Sequence, residues 1–303
     1  MREYRYSSVF ERSRGFSARA AAAALLFVLV LGVSAARAGF ASTEVYLPAI
    51  GRIPGAGGSQ FYSTVWVTNL GGVPVSFTFE FLKTGQANPS PVSITESVGA
   101  GETKMYENVV ETKFGQTNAL GAGRIVASGD VLVSERIYNQ PPGAGLGDTE
   151  GLFFAAVPQS FSIHGGESAT IQGVDVGGGE DFRYNFALIE TGNGSPNVNV
   201  QVFDGAGVLL GQKAYPLSPY EQIQPSVTDV VPSIATTNAR ITATVTGGTG
   251  AVLFAGAQVA NGTQDSSGFE MSFKGSLLGS GGATVVHDAT LTGDGTGGSP
   301  LGL

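Results

Sequence analysis

The chain has 303 residues, of which 46 Gly and 14 Pro make about a fifth, while only 13% are charged and none is Cys. This balance excludes a helical bundle or coiled coil, a disulfide scaffold, a Cys-ligated zinc site and a Cys nucleophile. The formal net charge of −8 argues against a phosphate-backbone partner, and at 42% hydrophobic the chain has enough apolar residues to build packed cores.

In chain order, the first predicted element is a secretory signal peptide with a helical apolar segment. Arg2, Arg5, Arg12, Arg14 and Arg19 form a basic start, and Ala20 to Val33 is an uninterrupted apolar run. Ala36-Arg37-Ala38 supplies the small residues that a signal peptidase needs, so cleavage is expected after Ala38. The apolar run is shorter than the roughly 20 residues that span a bilayer, and no later run is apolar enough, so no membrane span is expected after cleavage. Residues 1–38 carry six Arg and two Glu, and their removal takes the net charge to −12. No Lys/Arg cluster is left in the mature chain, so nucleic acid is not an expected partner.

From residue 43 the pattern has a period of two. Val75, Phe77, Phe79 and Phe81 alternate with Ser76, Thr78 and Glu80, the signature of a strand with one buried face. Further short strands are predicted at 61–69, 103–108, 123–127, 131–139, 152–157, 181–190, 197–203, 208–215, 239–246 and 251–259. Ser128-Gly129-Asp130 reads as a hairpin turn and Thr246–Gly250 as its counterpart. Helical character is confined to short stretches near Val109–Phe114 and Val227–Val231. Many short strands with regular turns predict an all-β chain of antiparallel sandwiches.

The chain also matches itself. Phe61–Val67 aligns with Phe182–Leu188, and the same shift lays Phe77, Phe79 and Phe81 on Val198, Val200 and Val202. Gly123-Arg124-Ile125 matches Ala239-Arg240-Ile241, and Ile137-Tyr138-Asn139 matches Val259-Ala260-Asn261. Inward positions stay apolar while outward ones vary, as two copies of one sandwich would show. The expected organisation is a signal peptide over 1–38, sandwich domains over 43–158 and 160–273, and a flexible Gly/Ser/Thr-rich tail over 274–303.

The runs Val45–Ser59 (VYLPAIGRIPGAGGS), Val65–Asn69 (VWVTN) and Ser134–Gln140 (SERIYNQ) resemble an uncharacterised family of exported bacterial proteins with tandem immunoglobulin-like sandwich repeats. Over residues 43–270 that resemblance implies export and two immunoglobulin-like β-sandwiches, with no assigned activity. Asp288–Gly302 (DATLTGDGTGGSPLG) is similar to a segment of tail-fibre-like and surface-stalk bacterial proteins, where further chain usually follows it.

The mature chain has only His164 and His287, in a linker and in the tail, and no Gly-x-Ser-x-Gly elbow, so no Ser-His pair is expected. Glu107 with Glu111, and Asp175 with Glu180 and Asp181, are acids close in sequence, but spacing alone does not place them across a cleft. Asp175–Asp181 and Asp288–Asp294 offer oxygen ligands without EF-hand spacing. No catalytic residue, metal site or cofactor is therefore expected. With Val65 and Val67 inward, Tyr62, Thr64, Trp66 and Thr68 share the outward face of their strand. Tyr62 and Trp66 are the candidate ligand-binding residues, because such rings stack on sugars or anchor a protein partner. The matching stripe of the second copy is Arg183, Asn185, Ala187 and Ile189.

The function expected from these features is that of an exported, non-enzymatic structural or adhesive protein at the cell surface or outside the cell. Its partners would be other protein chains, cell-surface glycans or further copies of itself, met through exposed sheet edges. The alternative is a carbohydrate-binding module that uses the stripe around Tyr62 and Trp66.

Overall fold

The computed structural model describes residues 40–176 and 181–272. The signal peptide with its Ala36–Ala38 cleavage site, and the tail with His287, lie outside the described residues. What is described is almost entirely antiparallel β-structure in sixteen strands.

Strands β1 (Ser42–Pro54), β2 (Gln60–Thr68), β3 (Val75–Lys83), β4 (Val92–Val98), β5 (Thr103–Tyr106), β6 (Ala119–Asn139), β7 (Glu150–Ala155) and β8 (Val157–Pro158) form one hydrogen-bonded system. Its long members β1 and β6 each take part in two sheets. The first half of β6 pairs β3 and β1, with Phe79 opposite Ile125 and Val45 opposite Ile125 from the other side. Its second half pairs β2 and β7, with Val67 opposite Val133 and Ile137 opposite Leu152. One layer is therefore β4-β3-β6-β1, and the layer facing it is β5-β2-β6-β7.

The Ser128–Asp130 stretch is not a hairpin. The strand runs straight through it, and the β1–β6 register shifts between Ser42 and Glu44 where the chain passes from one layer to the other. Such a bulge turns the corner of a sandwich without reversing the chain.

The second half contains β9 (Ser168–Val174), β10 (Phe182–Glu190), β11 (Ser195–Phe203), β12 (Leu209–Pro216), β13 (Gln222–Ile223), β14 (Ala239–Thr249), β15 (Val252–Ala260) and β16 (Ser266–Glu270). Its layers are β12-β11-β14-β9 and β13-β10-β15-β16. The Thr246–Gly250 turn, like its counterpart, closes no hairpin: β14 pairs with β11 and β9, whereas β15 pairs with β10 and β16. Gly250, at φ 104°, makes this crossing in a left-handed conformation open to glycine.

Each half has its own core. In the first, Val65, Val67, Phe77, Phe79, Phe81, Ile125 and Val133 are buried, and Phe114 meets Phe79 edge-on at 5.1 Å. In the second, Val198, Val200, Val202, Tyr184, Phe186 and Leu188 are buried. Each large apolar side chain taken from water contributes roughly 1.5–3 kcal/mol, which substitutes here for cross-links. The short helical stretches are a single turn over Val109–Thr112 and a 3-10 turn over Val227–Asp229.

The halves are packed together. Tyr46, Leu82, Ala122 and Val157 of the first half belong to the core of the second, as do Phe161 and Ile163 of the connecting segment. Phe154 of β7 lies so close over Gly268 of β16 that a Cβ there would come within 2.8 Å of its ring. The loop after β3 is tied to the loop before β13. Gly85 donates its backbone N–H to the Gln222 carbonyl at 2.8 Å, and Asn88 donates its backbone N–H to that of Pro219 at 3.0 Å. Buried Asn88 uses its side chain to bridge Lys83, Gln86 and Tyr220.

Asn88→Ala is expected to cost about 1–3 kcal/mol of stability, because the backbone groups of Lys83, Gln86 and Tyr220 lose a part-buried partner at once. Chemical denaturation of the variant against the parent measures this, and an unchanged midpoint would show that the tie contributes nothing.

Candidate functional site

The outward face of β2 is the starting point. Val65 and Val67 are fully buried, which sets Tyr62, Thr64, Trp66 and Thr68 on the opposite face. Register places Met105 of β5 beside Trp66 on one side and Ser134 of β6 on the other. Arg136 pairs Thr64 and Phe153, and Tyr138 pairs Tyr62.

Trp66 is half-buried against the ring of Phe153 at 5.9 Å, while Phe153 is 64% and Met105 55% exposed. Met105, Trp66 and Phe153 thus form an apolar row across four strands. Thr64 faces the same way but is buried at 5% exposure, so it does not project towards water as the alternation suggests.

Tyr62 stands at the other end of the stripe, about 13 Å along the strand from Trp66. Its ring stacks with that of Tyr138 at 5.9 Å, with Arg52 over Tyr62 at 5.5 Å and Arg136 over Tyr138 at 5.0 Å. The two tyrosines line a cleft of about 310 Å³ whose other walls include Glu107, Asn108, Gln140 and Leu146. Asn108 adopts a left-handed backbone at φ 44°, and its Oδ1 is buried without a hydrogen-bonding partner. Aromatic faces beside a carboxylate and two amides suit a polyhydroxylated ligand. Tyr138, Phe153 and Met105 are not among the binding candidates that the sequence offers, and neither is the cleft. Strand facing was legible for β2, but only pairing shows which residues of β5, β6 and β7 lie beside it.

The matching face of β10 is not free. Ala187 and Ile189 are buried, and Asn185 and Arg183 line a cavity against β1, β6 and β7. The first half covers the second half's stripe and leaves its own open.

Of the acids considered from the sequence, Glu180, Asp288 and Asp294 lie outside the described residues, and Glu107 lines the tyrosine cleft. Glu111 binds Arg52 at 3.0 Å and accepts from Asn108 Nδ2 at 2.7 Å. Those two hydrogen bonds, that from Asn108 first, hold its carboxyl below the usual range, so it is a poor proton donor. Glu96 is held at about 2 by Lys113, Tyr106 and Lys104, against a smaller opposing effect of burial. His164 is exposed. Among the described residues no group of three or more His, Asp or Glu side chains could hold a metal ion. No helix among them is long and apolar enough to cross a membrane.

The acid that departs most from ordinary behaviour is Glu135. It is fully buried on β6, between Val65 and Phe154 in register, and neither carboxyl oxygen has a hydrogen-bonding partner. Burial pushes its pKa well up; the Ala49 amide pulls the other way without meeting hydrogen-bond geometry. Glu135 lines neither the cavity nor the tyrosine cleft, and its burial favours the neutral carboxyl.

A raised folded-state pKa makes its contribution to stability greatest below the unfolded carboxyl pKa, with loss as pH rises towards the folded value. Glu135→Gln is therefore expected to flatten the stability–pH curve above about pH 4.5. Glu135→Met should raise stability at neutral pH by about 1–3 kcal/mol. Denaturant midpoints measured across pH decide this: a parent whose stability does not fall over that range would show that Glu135 is solvated.

No protein-family model matches the chain, and no curated protein does. Among solved structures, a Bacteroides uniformis beta-glucuronidase 2 bound covalently to cyclophellitol-6-carboxylate aziridine is similar at 10% identity and a TM-score of 0.16, covering 76% of this chain and 25% of that one. A glycosyl hydrolase family 2 member from Bacteroides cellulosilyticus is similar at 8% identity and a TM-score of 0.14, covering 77% and 36%. The chain spans a quarter to about a third of the length of these enzymes, and at such TM-scores the likeness carries no argument about activity.

Proposed function

We propose that this chain is an exported, non-enzymatic adhesive protein built from two copies of one sandwich, whose contact surface is the outward face of β2, β5, β6 and β7. The carrying observation is the open row of Met105, Trp66 and Phe153. A half-buried Trp flanked by an exposed Phe and an exposed Met on one sheet face is unusual on a surface that binds nothing. The equal strand order of the halves, β4-β3-β6-β1 against β12-β11-β14-β9, supports the duplication, and the basic and apolar start of the chain supports export.

A protein partner fits the row best, because aromatic and Met side chains anchor interfaces. Sheet edges offer a second way to associate. Edge strand β12 carries exposed Leu209 and Leu210, with Val208 just before it, although Lys213 and Pro216 blunt the edge against pairing.

The tyrosine cleft favours a second reading, glycan binding, in which Tyr62 and Tyr138 stack on sugar rings and Glu107, Asn108 and Gln140 take the hydroxyls.

Trp66→Ala and Phe153→Ser test the main reading. Each is expected to weaken attachment to host or sister cells by about tenfold or more while costing no more than about 1–2 kcal/mol of stability, since both rings are partly solvated. Attachment that survives both changes would sink it. Glycan-array binding lost in Tyr138→Ala but kept in Phe153→Ser would favour the second reading.

A further inference from the structure

A cavity of about 310 Å³ lies where the halves meet. Its walls are mainly apolar, with Ile53, Phe61, Leu120, Leu152 and Phe154 from the first half and Ala257 and Val259 from the second. Four polar side chains of the second half also line it: Arg183, Asn185, Gln224 and Ser266. Apolar walls with a few convergent polar groups are the usual build of a small-molecule site, and this volume sits at the lower end of the roughly 300–1,000 Å³ typical of such sites.

Two of the polar groups are unsatisfied. Ser266 is only 8% exposed, and its Oγ has no hydrogen-bonding partner. The Oε1 of Gln224 is likewise buried and unpaired. Leaving such groups without partners costs on the order of 1–3 kcal/mol each, and a ligand at the cavity would remove that cost.

Arg183 is tied to neutral groups only. Its Nη1 donates to Asn261 Oδ1 at 2.9 Å and its Nη2 to Gln264 Oε1 at 2.7 Å. Among the described residues no carboxylate forms an ion pair with it. Arg52 and Arg124 each have one or more acids, whereas Arg136, on the outward face, donates to the Thr149 carbonyl at 3.0 Å. Arg183, Val259 and Ser266 stand in register across β10, β15 and β16, so the cation and the free hydroxyl flank one stretch of apolar wall.

We propose that this cavity binds a small carboxylate with an apolar body and one N–H or O–H donor. The carboxylate meets Arg183 and accepts a hydrogen bond from Ser266 Oγ. The apolar body lies along Val259, Ala257 and Phe154. The ligand's donor meets Gln224 Oε1. The site is independent of the outward face proposed for adhesion.

N-acetylleucine is a probe with these three features, and N-acetylleucinamide has the same shape without the charge. Calorimetric titration of residues 39–303 is expected to show saturable, one-to-one binding of the acid, with the amide at least tenfold weaker. Arg183→Gln should abolish the preference for the acid. Ser266→Ala should weaken the acid about fivefold without lowering the thermal midpoint, since its hydroxyl has no partner to lose. Ala257→Phe should fill the cavity and prevent binding. No saturable binding of the acid to the parent, equal binding of acid and amide, or unchanged binding in Ala257→Phe would each overturn the proposal.

Discussion

The structure depends on one constraint: two sheet-built halves are pressed together so that the outward stripe of β10 becomes an internal surface. Ala187 and Ile189 are buried there, and Tyr46 and Leu82 from the first half enter the second core. With no Cys in the chain, apolar burial must hold this seam. Hydrogen bonds from Asn88 and Gly85 fix its register. Arg124 adds to them, binding Glu44 and Glu80 at 2.9 Å each while lying 4.8 Å from the Tyr220 ring. Its acids are on the first half and its ring on the second, so its position also depends on the seam.

This arrangement treats the outward faces of β2 and β10 differently. The stripe of β2 carries Tyr62 and Trp66 and stays open, whereas that of β10 carries Ala187 and Ile189, which are buried, and Arg183 and Asn185, which line the cavity. Small and apolar residues suit a face that another sheet must approach closely. Rings with polar or polarizable edges suit a face that remains half in water. At Ala187 and Ile189 the composition of the stripe matches its burial in the seam, while Arg183 and Asn185 stand where the seam leaves a cavity.

Strand facing was legible wherever alternation was strong. Phe77, Phe79 and Phe81 are buried as their period of two implies, and so are Val198, Val200 and Val202. Strand β4 was missed because it is an edge strand with a mostly solvated face, Val92–Val98, whose pattern of Ser, Thr and Glu reads as loop. The hairpins expected at Ser128–Asp130 and Thr246–Gly250 failed for a shared reason: Gly and Asp signal a change of direction, but they do not say whether the chain turns back beside itself or crosses to the facing layer. Of the outward site, Tyr62 and Trp66 were legible and Tyr138, Phe153 and Met105 were not. Their adjacency is created by pairing across 30 to 90 positions of sequence, and single-strand periodicity carries no such information.

The polar groups along the seam bear on why it has a cavity at all. If adhesion between the halves were the only demand, apolar residues at 135, 224 and 266 would satisfy it better, since unpaired buried polar atoms oppose folding. Glu135 stands apart from the cavity, and neither of its carboxyl oxygens has a hydrogen-bonding partner of good geometry within the protein, so its burial is a cost without a visible return. Ser266 and Gln224 differ from it in lining a space that another molecule can enter, beside the one paired-to-neutral guanidinium among the described arginines of the seam. Poor packing explains a void, but it does not explain why a hydroxyl, an amide oxygen and a guanidinium with no acid partner among the described residues converge on its wall. That convergence separates a ligand site from a packing defect.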